Sequence, residues 1–402
     1  MTFELTDEQR GLRDAVRELA SRFGDAYWLE RDRRHEFPWE FYDAFAAAGW
    51  VGIGIPREYG GAGLGVVEGG ILLQEIAASG AGINGCTPLH LSIFGMNPVV
   101  KHGSEEMRRR DLLRVASGEL HVAFAVTEPD AGTDTTRITT FARRDGDDYV
   151  VTGRKVWISK AQLAEKMLLI ARTSPRDETN RAAGLTLFFT AIDRERVEVR
   201  EIEKLGRHAV DSNELAIEEL RVPVADRVGD EGKGLAYLLD GLNPERILMA
   251  HEAVGLGRAA LDRAVRYARE RIVFDRPIGR NQAIQFPLAD ALARLDAAEL
   301  VARNAAVRYD AGAPVRPRGE HRQVPLRRGV LARGRPRGAD ARRHGLRGRV
   351  PRRALLPRGA PPSNRAGEPG ARARLPRRAR PRPTALLLTT APTAAPRRPL
   401  VN

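Results

Sequence analysis

The sequence predicts an α+β chain: a helical N-terminal domain over residues 1–119, a central β-barrel or sandwich domain over 120–228, and an incomplete C-terminal helical bundle over 229–313, followed by a disordered Arg/Pro-rich tail over 314–402. Three observations carry this. Apolar residues recur at helical spacing up to about Val115. From Leu120 to Val228 they fall instead in short runs separated by turn residues. Helical spacing returns after Gly234 and stops at Pro314.

Thr6-Asp7-Glu8-Gln9 reads as a capped helix start, and Leu12, Val16, Leu19 and Phe23 follow at helical spacing. A second helix is expected from Trp39 to Gly49, with Phe41, Phe45 and Trp50 on its apolar side. The Gly-rich run 55–65 lacks the Gly-Lys-Ser/Thr ending of a phosphate loop. Further helices are expected over 67–79, 98–102 and 105–115. Strands are expected at 122–126, 141–144, 149–151, 156–158, 167–172, 186–191, 197–202 and 216–222, with a hairpin turn at Asp145-Gly146. A long helix over 235–271, interrupted at most by Asn243-Pro244, precedes another over 282–308, whose main apolar positions are Ile284, Leu288, Leu292, Leu295 and Leu300.

The formal charge of +14 points at first to a nucleic-acid or membrane partner. Its distribution argues otherwise. Residues 315–402 hold 24 Arg, no Lys and 3 acidic residues, whereas residues 1–314 hold 42 basic and 49 acidic ones. The body is therefore mildly acidic, and no nucleic-acid partner is expected for it. Cys86 is the single cysteine, which excludes an internal disulfide and a cysteine metal cluster. No apolar run approaches the ~20 residues of a bilayer span, and the acidic start is unlike a signal peptide. A cytoplasmic setting is the expectation.

Two runs carry chemistry. Phe124-Ala125-Val126-Thr127-Glu128-Pro129-Asp130-Ala131-Gly132-Thr133-Asp134 is a strand that breaks into a turn and then a cluster of hydroxyls. Such a loop offers backbone N–H groups and short donors to carbonyl or phosphate oxygens; alone, it reads equally as a hairpin corner. In Thr152-Gly153-Arg154-Lys155-Val156-Trp157-Ile158-Ser159, strand alternation puts Trp157 and Ser159 on one face, suited to a flat heteroaromatic ring. The bland reading of Trp157 is a core aromatic.

Together these runs resemble the acyl-CoA dehydrogenase family, whose flavin loop reads close to VTEPxAGSD and whose second strand reads close to GxKxWIT/S. The Gly-rich run 55–65, Lys204-Leu205-Gly206-Arg207 and Leu220-Arg221-Val222-Pro223 match further landmarks, with Arg207 standing where the family often has an aromatic residue. The resemblance covers about residues 1–313. It implies FAD as cofactor and α,β-dehydrogenation of an acyl-CoA thioester, with electrons passing to an electron-transfer flavoprotein. A homo-oligomer, dimer or tetramer, is implied as well.

By motif match, Phe124, Val126, Thr127, Gly132 and Thr133 would line the flavin or its phosphates. Trp157 would pack on the ring system and Ser159 would bond near its reactive nitrogen. Arg271, Phe274 and Gln282 fall where the family holds the adenine end of FAD, typically of a neighbouring subunit; Asp275 departs from the family's Gly. Dehydrogenation needs a carboxylate base in an apolar pocket. Glu245 matches the position used by the isovaleryl and long-chain branches; the bland reading is a carboxylate favoured near a helix start. Glu252, seven residues on and on nearly the same face, is the weaker alternative for the base. Asn243, Arg246 and Thr133 would contact the substrate, Arg246 at its CoA portion.

The tail contains no Lys, Ile, Phe, Tyr, Trp, Met or Cys. It reads as the product of a frameshift in a GC-rich gene, because off-frame codons of 340–351 can spell a Gly-Gly-rich run resembling the family's C-terminal helices. A basic nucleic-acid tail is the other reading. Two rivals to the dehydrogenase remain: a flavin monooxygenase or nitroalkane oxidase of the same fold, and an inactive frameshifted product.

Overall fold

The computed structural model describes residues 4–313. The Arg/Pro-rich tail, and its reading as a frameshift product, lie outside the described residues.

Helix α1 (Asp7–Ser21) begins with the expected capping box: the Gln9 amide donates to Thr6 Oγ1 and the Thr6 amide to Gln9 Oε1, both at 3.2 Å. Leu12, Val16 and Ala20 form its buried stripe. Helix α2 (Asp25–Arg34) has no apolar period to announce it, and Trp28 is its one buried residue. That ring meets Phe41 edge-on at 4.9 Å and donates from Nε1 to the Phe23 carbonyl. Helix α3 (Trp39–Ala47) buries Phe41, Tyr42 and Phe45.

Helix α4 (Val66–Ile76) is buried along nearly its whole length. A π-turn over Ala77–Ala81, broken by Gly80 at φ 106°, leads into α5 (Gly82–Phe94). Sequence reasoning missed α5 because Gly82, Gly85 and Pro88 all oppose a helix. Burial decides it instead: Cys86, Leu89, Leu91 and Phe94 all pack into the core. Helices α6 (Asn97–His102), α7 (Glu105–Met107) and α8 (Leu113–Ala116) follow, the last two separated by a π-turn inside what the sequence predicts as one helix. The helical stretch Val66–His102 is long and apolar enough to cross a bilayer by composition, but two-thirds of its most apolar window is buried within the protein. It is a core element.

The central region holds β1 (Val122–Ala125), β2 (Phe141–Asp145), β3 (Asp148–Ser159), β4 (Lys166–Arg172), β5 (Leu185–Ala191), β6 (Val197–Glu201), β7 (Ser212–Pro223) and β8 (Arg227–Val228). The sheet runs β6-β7-β3-β2-β4-β5-β8, with β1 pairing parallel to β4. The Asp145-Gly146 turn joins β2 to β3 as expected, Gly146 taking φ 61°. The two short runs at 149–151 and 156–158 prove to be one strand. Register shifts against β7 at 151/153 and 155/158 bulge it, which hides its continuity from an alternation count.

One buried ion pair ties this sheet to the turn after β1. Lys155 Nζ reaches Glu128 Oε1 at 2.9 Å, the Ile170 carbonyl at 2.8 Å and the Val126 carbonyl at 3.2 Å. Glu128 also accepts from the amides and hydroxyls of Thr139 and Thr140. Burial opposes the carboxylate, but Lys155 and the threonine donors outweigh it and hold its pKa at about 2.

Helix α9 (Gly234–Glu270) runs unbroken through Pro244. Proline removes the amide that would bond the Asp240 carbonyl, and the Tyr309 hydroxyl donates there instead at 3.5 Å. A hairpin of β9 (Ile272–Val273) and β10 (Arg276–Pro277) turns the chain into α10 (Gln282–Asp310), which packs along α9 and α4. At its end, Asp310 caps α4 by accepting from the Val66 and Val67 amides at 2.9 Å. Of the expected apolar positions of α10, Leu295 is buried, while Leu292 and Leu300 stand open beside Phe286, Val301 and Val307.

Removing one partner of the buried pair strands the other's charge. Lys155→Met is expected to cost roughly 3–5 kcal/mol in urea unfolding, and adding Glu128→Gln to recover part of that loss. Because Glu128 sits at about 2 when folded against 4.5 as the free side chain, its stabilisation is in place above pH 4.5 and is lost as pH falls toward 2. An acid transition unchanged by Glu128→Gln would contradict this.

Candidate functional site

The turn Glu128-Pro129-Asp130-Ala131 closes on itself through paired Glu128–Ala131 backbone bonds of 3.1 and 3.2 Å. The buried Glu128 carboxylate fixes it from beneath, so the residues on either side are presented outward. Phe124 lies on β1 and is half-buried, its ring 5.4 Å from Phe94 of α5. Val126 and Thr127 are half-buried, while Gly132 and Thr133 are exposed. A side chain built at Gly132 would meet nothing within 4 Å, so this edge of the loop faces open space.

The loop lies directly against the bulge of β3. The Val156 amide donates to the Thr127 carbonyl at 2.9 Å, which sets Thr127 beside Trp157. Trp157 is 59% exposed and takes φ 64°, in the left-handed region. Such a backbone costs about 1–3 kcal/mol for a side chain of this kind and persists only where its surroundings impose it. The indole is therefore no core aromatic. It stands open on a rigid strand, beside a loop rich in hydroxyls. Ile158 is buried while Trp157 and Ser159 on either side of it are more open, in keeping with a shared outer face.

These groups suit a flat, phosphate-bearing cofactor by the chemistry they offer. An open aromatic face stands on β3, the adjoining loop and strand offer the Thr127, Thr133 and Ser159 hydroxyls, and the unobstructed turn at Gly132 leaves room for close backbone approach.

Glu245 is half-buried in α9, eleven residues beyond the helix start at Gly234, so it is not a carboxylate favoured by a helix terminus. Burial raises its carboxyl above the ordinary 4.5, opposed by the nearby His90 and Arg246 and reinforced by Glu252. Arg246 and Asn243 are exposed and bonded to each other, Nη1 to Oδ1, at 3.0 Å. Helix α5 packs against both β1 and α9 and so connects the two halves of the site. Phe94 touches Phe124 on one side and His90, at 5.3 Å, on the other. His90 Nδ1 in turn meets Glu252 Oε1 at 2.7 Å. No local signal marks His90, because the glycines and proline of α5 hide the helix that carries it. Arg207 reaches α5 too, donating to Thr87 Oγ1 at 2.7 Å, so this departure from the family pattern faces the same helix.

Arg271, Phe274 and Gln282 are not brought to this site. They lie past the far end of α9, about 38 Å from Glu245 by helical rise. Phe274 is 93% exposed. Phe274 and Asp275 take φ 50° and 58° at the centre of the β9–β10 hairpin, a conformation that explains why glycine would suit position 275.

Three family profiles match consecutive parts of the chain: the acyl-CoA dehydrogenase N-terminal domain at 6–119, the middle domain at 123–220 and the C-terminal domain at 232–323. Acyl-CoA dehydrogenase fadE12 of Mycobacterium bovis is 35% identical over 317 residues, covering 77% of this chain and 79% of that protein. Cyclohex-1-ene-1-carbonyl-CoA dehydrogenase of Syntrophus aciditrophicus is likewise 35% identical, over 316 residues, covering 77% of this chain and 74% of that protein. The butyryl-CoA dehydrogenase structure from Megasphaera elsdenii superposes with a TM-score of 0.74 at 27% identity, covering 83% of this chain and 86% of that one. With the helical, β and helical regions in this order and at this similarity, the chain belongs to the acyl-CoA dehydrogenase family, whose members are oxidoreductases acting on CH–CH bonds.

Proposed function

We propose that this chain is an FAD-dependent acyl-CoA dehydrogenase that converts an acyl-CoA thioester to its trans-2-enoyl-CoA. The open Trp157 indole on the bulge of β3, set beside the 124–134 loop, carries this reading. In it, Trp157 and Ser159 hold the flavin ring, while Phe124, Val126, Thr127, Gly132 and Thr133 form the wall and phosphate contacts. Bound FAD supplies the acceptor for the hydride equivalent leaving the β-carbon.

The chain's own part is binding and proton removal. Glu245 takes the α-proton, its half-buried setting raising its proton affinity toward that task. Asn243 and Arg246, exposed on the same turn, and Thr133 of the loop contact the substrate, Arg246 at its CoA portion. Arg271, Phe274 and Gln282 sit too far away to serve their own subunit. In a homo-oligomer they would serve a neighbour's adenine end, and the open apolar residues of α10 suit such an assembly. An electron-transfer flavoprotein is the proposed acceptor.

Three outcomes test this reading. Glu245→Gln should abolish exchange of the substrate α-proton with solvent, read by NMR; full retention would remove Glu245 as the base. For the intact enzyme, kcat/KM should fall as pH drops through a value above the ordinary glutamate range, because the base must be ionised and burial raises it. Trp157→Ala should cost under about 1 kcal/mol in urea unfolding of the flavin-free protein, against about 3–5 kcal/mol for a buried aromatic, while weakening flavin retention. A loss of core size with unchanged flavin content would contradict the assignment.

A further inference from the structure

Glu252 contributes to no step above, yet it is completely buried, and its Oε2 has no hydrogen-bond partner among the described residues. Its other oxygen holds His90 Nδ1 at 2.7 Å. A carboxylate bonded to one nitrogen of a neutral imidazole draws the ring proton to that nitrogen, which leaves the other with a free lone pair. His90 Nε2 has no partner among the described residues, and the side chain keeps 12% of its surface open. Glu245 and Glu252 lie seven residues apart on α9, two turns and therefore on nearly one face, about 10 Å apart by helical rise. His90 projects from α5 between that face and Phe94, which touches the Phe124 wall. Among the described residues, the other charged or titratable groups facing this cluster are Arg246 beside Glu245, the Arg207 guanidinium anchored on Thr87, and the buried Cys86 thiol.

We propose that His90, oriented by Glu252, is a positioning residue that resets the base. The inference rests on Glu245 being the base. After Glu245 has taken the α-proton, its carboxylic acid is half-buried and must lose that proton before another turnover. The Glu245 O–H bond breaks and an N–H bond forms at His90 Nε2, directly or across one water. The products are the Glu245 carboxylate and an imidazolium paired with the Glu252 carboxylate. The imidazolium then releases the proton to solvent through the open part of the side chain. No oxidant or reductant enters, and the charge on His90 is never stranded, because Glu252 is already beside it.

The tests separate this role from packing and from failure of the dehydrogenase reading. Nitrogen-15 NMR of the resting holoenzyme should find neutral His90 protonated on Nδ1, and Glu252→Leu should lose that preference; an Nε2-protonated ring in the native protein would overturn the proposal without any turnover. With acyl-CoA, His90→Asn and His90→Gln should bleach the flavin in the first turnover at a rate within about twofold of the native enzyme. Their steady-state kcat should fall about tenfold or more and recover on adding imidazole. Equal loss in both phases, or an unchanged kcat, would overturn it. If Glu245→Gln keeps full activity, the base assignment fails and this proposal with it, even where the NMR tautomer is as expected.

Discussion

The site depends on the buried pair between Lys155 and Glu128. Lys155 is wholly buried and Glu128 nearly so, and between them they bind the turn after β1 to the middle of β3 and to β4. Burying both charges is costly, and that cost is offset only because every direction is satisfied: two carbonyls take the ammonium, and four threonine donors take the carboxylate. The geometric consequence is local. With the turn pinned from below, Thr127 can accept from Val156, and the strand bulges at the next residue to turn Trp157 outward. A loop held only by its own backbone would not impose a left-handed conformation on a tryptophan.

The helical part answers this rigid wall from the other side. Helix α9 carries Glu245, and α5 fills the space between them with Phe94 and His90. The arrangement follows from burial more than from local preference. Helix α5 contains two glycines and a proline that oppose helix formation, yet it forms because its sides are covered by α4, α9 and β1. The long α9 likewise accepts Pro244 because Tyr309, from the end of α10, replaces the missing bond.

Much of this was legible in the sequence. The turn chemistry of Glu128-Pro129-Asp130, the Asp145-Gly146 hairpin and the Thr6–Gln9 box are local signals, and the structure follows them. Trp157 and Glu245 stood out through their neighbours in the chain. The features that escaped were set by contacts distant in sequence. Asp25–Arg34 has no apolar stripe to mark a helix; its one buried residue is a tryptophan whose partner Phe41 lies beyond it. The bulge in β3 arises from its pairing with β7 and from Thr127, so an alternation count splits the strand in two. The meeting of His90 with Glu252 spans 162 residues, and no spacing rule reaches that far.

In the function proposed, the loop at 124–134, the Trp157 face and Glu245 form one dehydrogenation site. The most direct test is the visible spectrum of the purified protein under anaerobic titration with straight-chain and branched acyl-CoAs. A bound flavin should bleach with at least one of them, and should not bleach after Glu245→Gln. A flavin that stays oxidised with every acyl-CoA, or that bleaches equally well without Glu245, would contradict it.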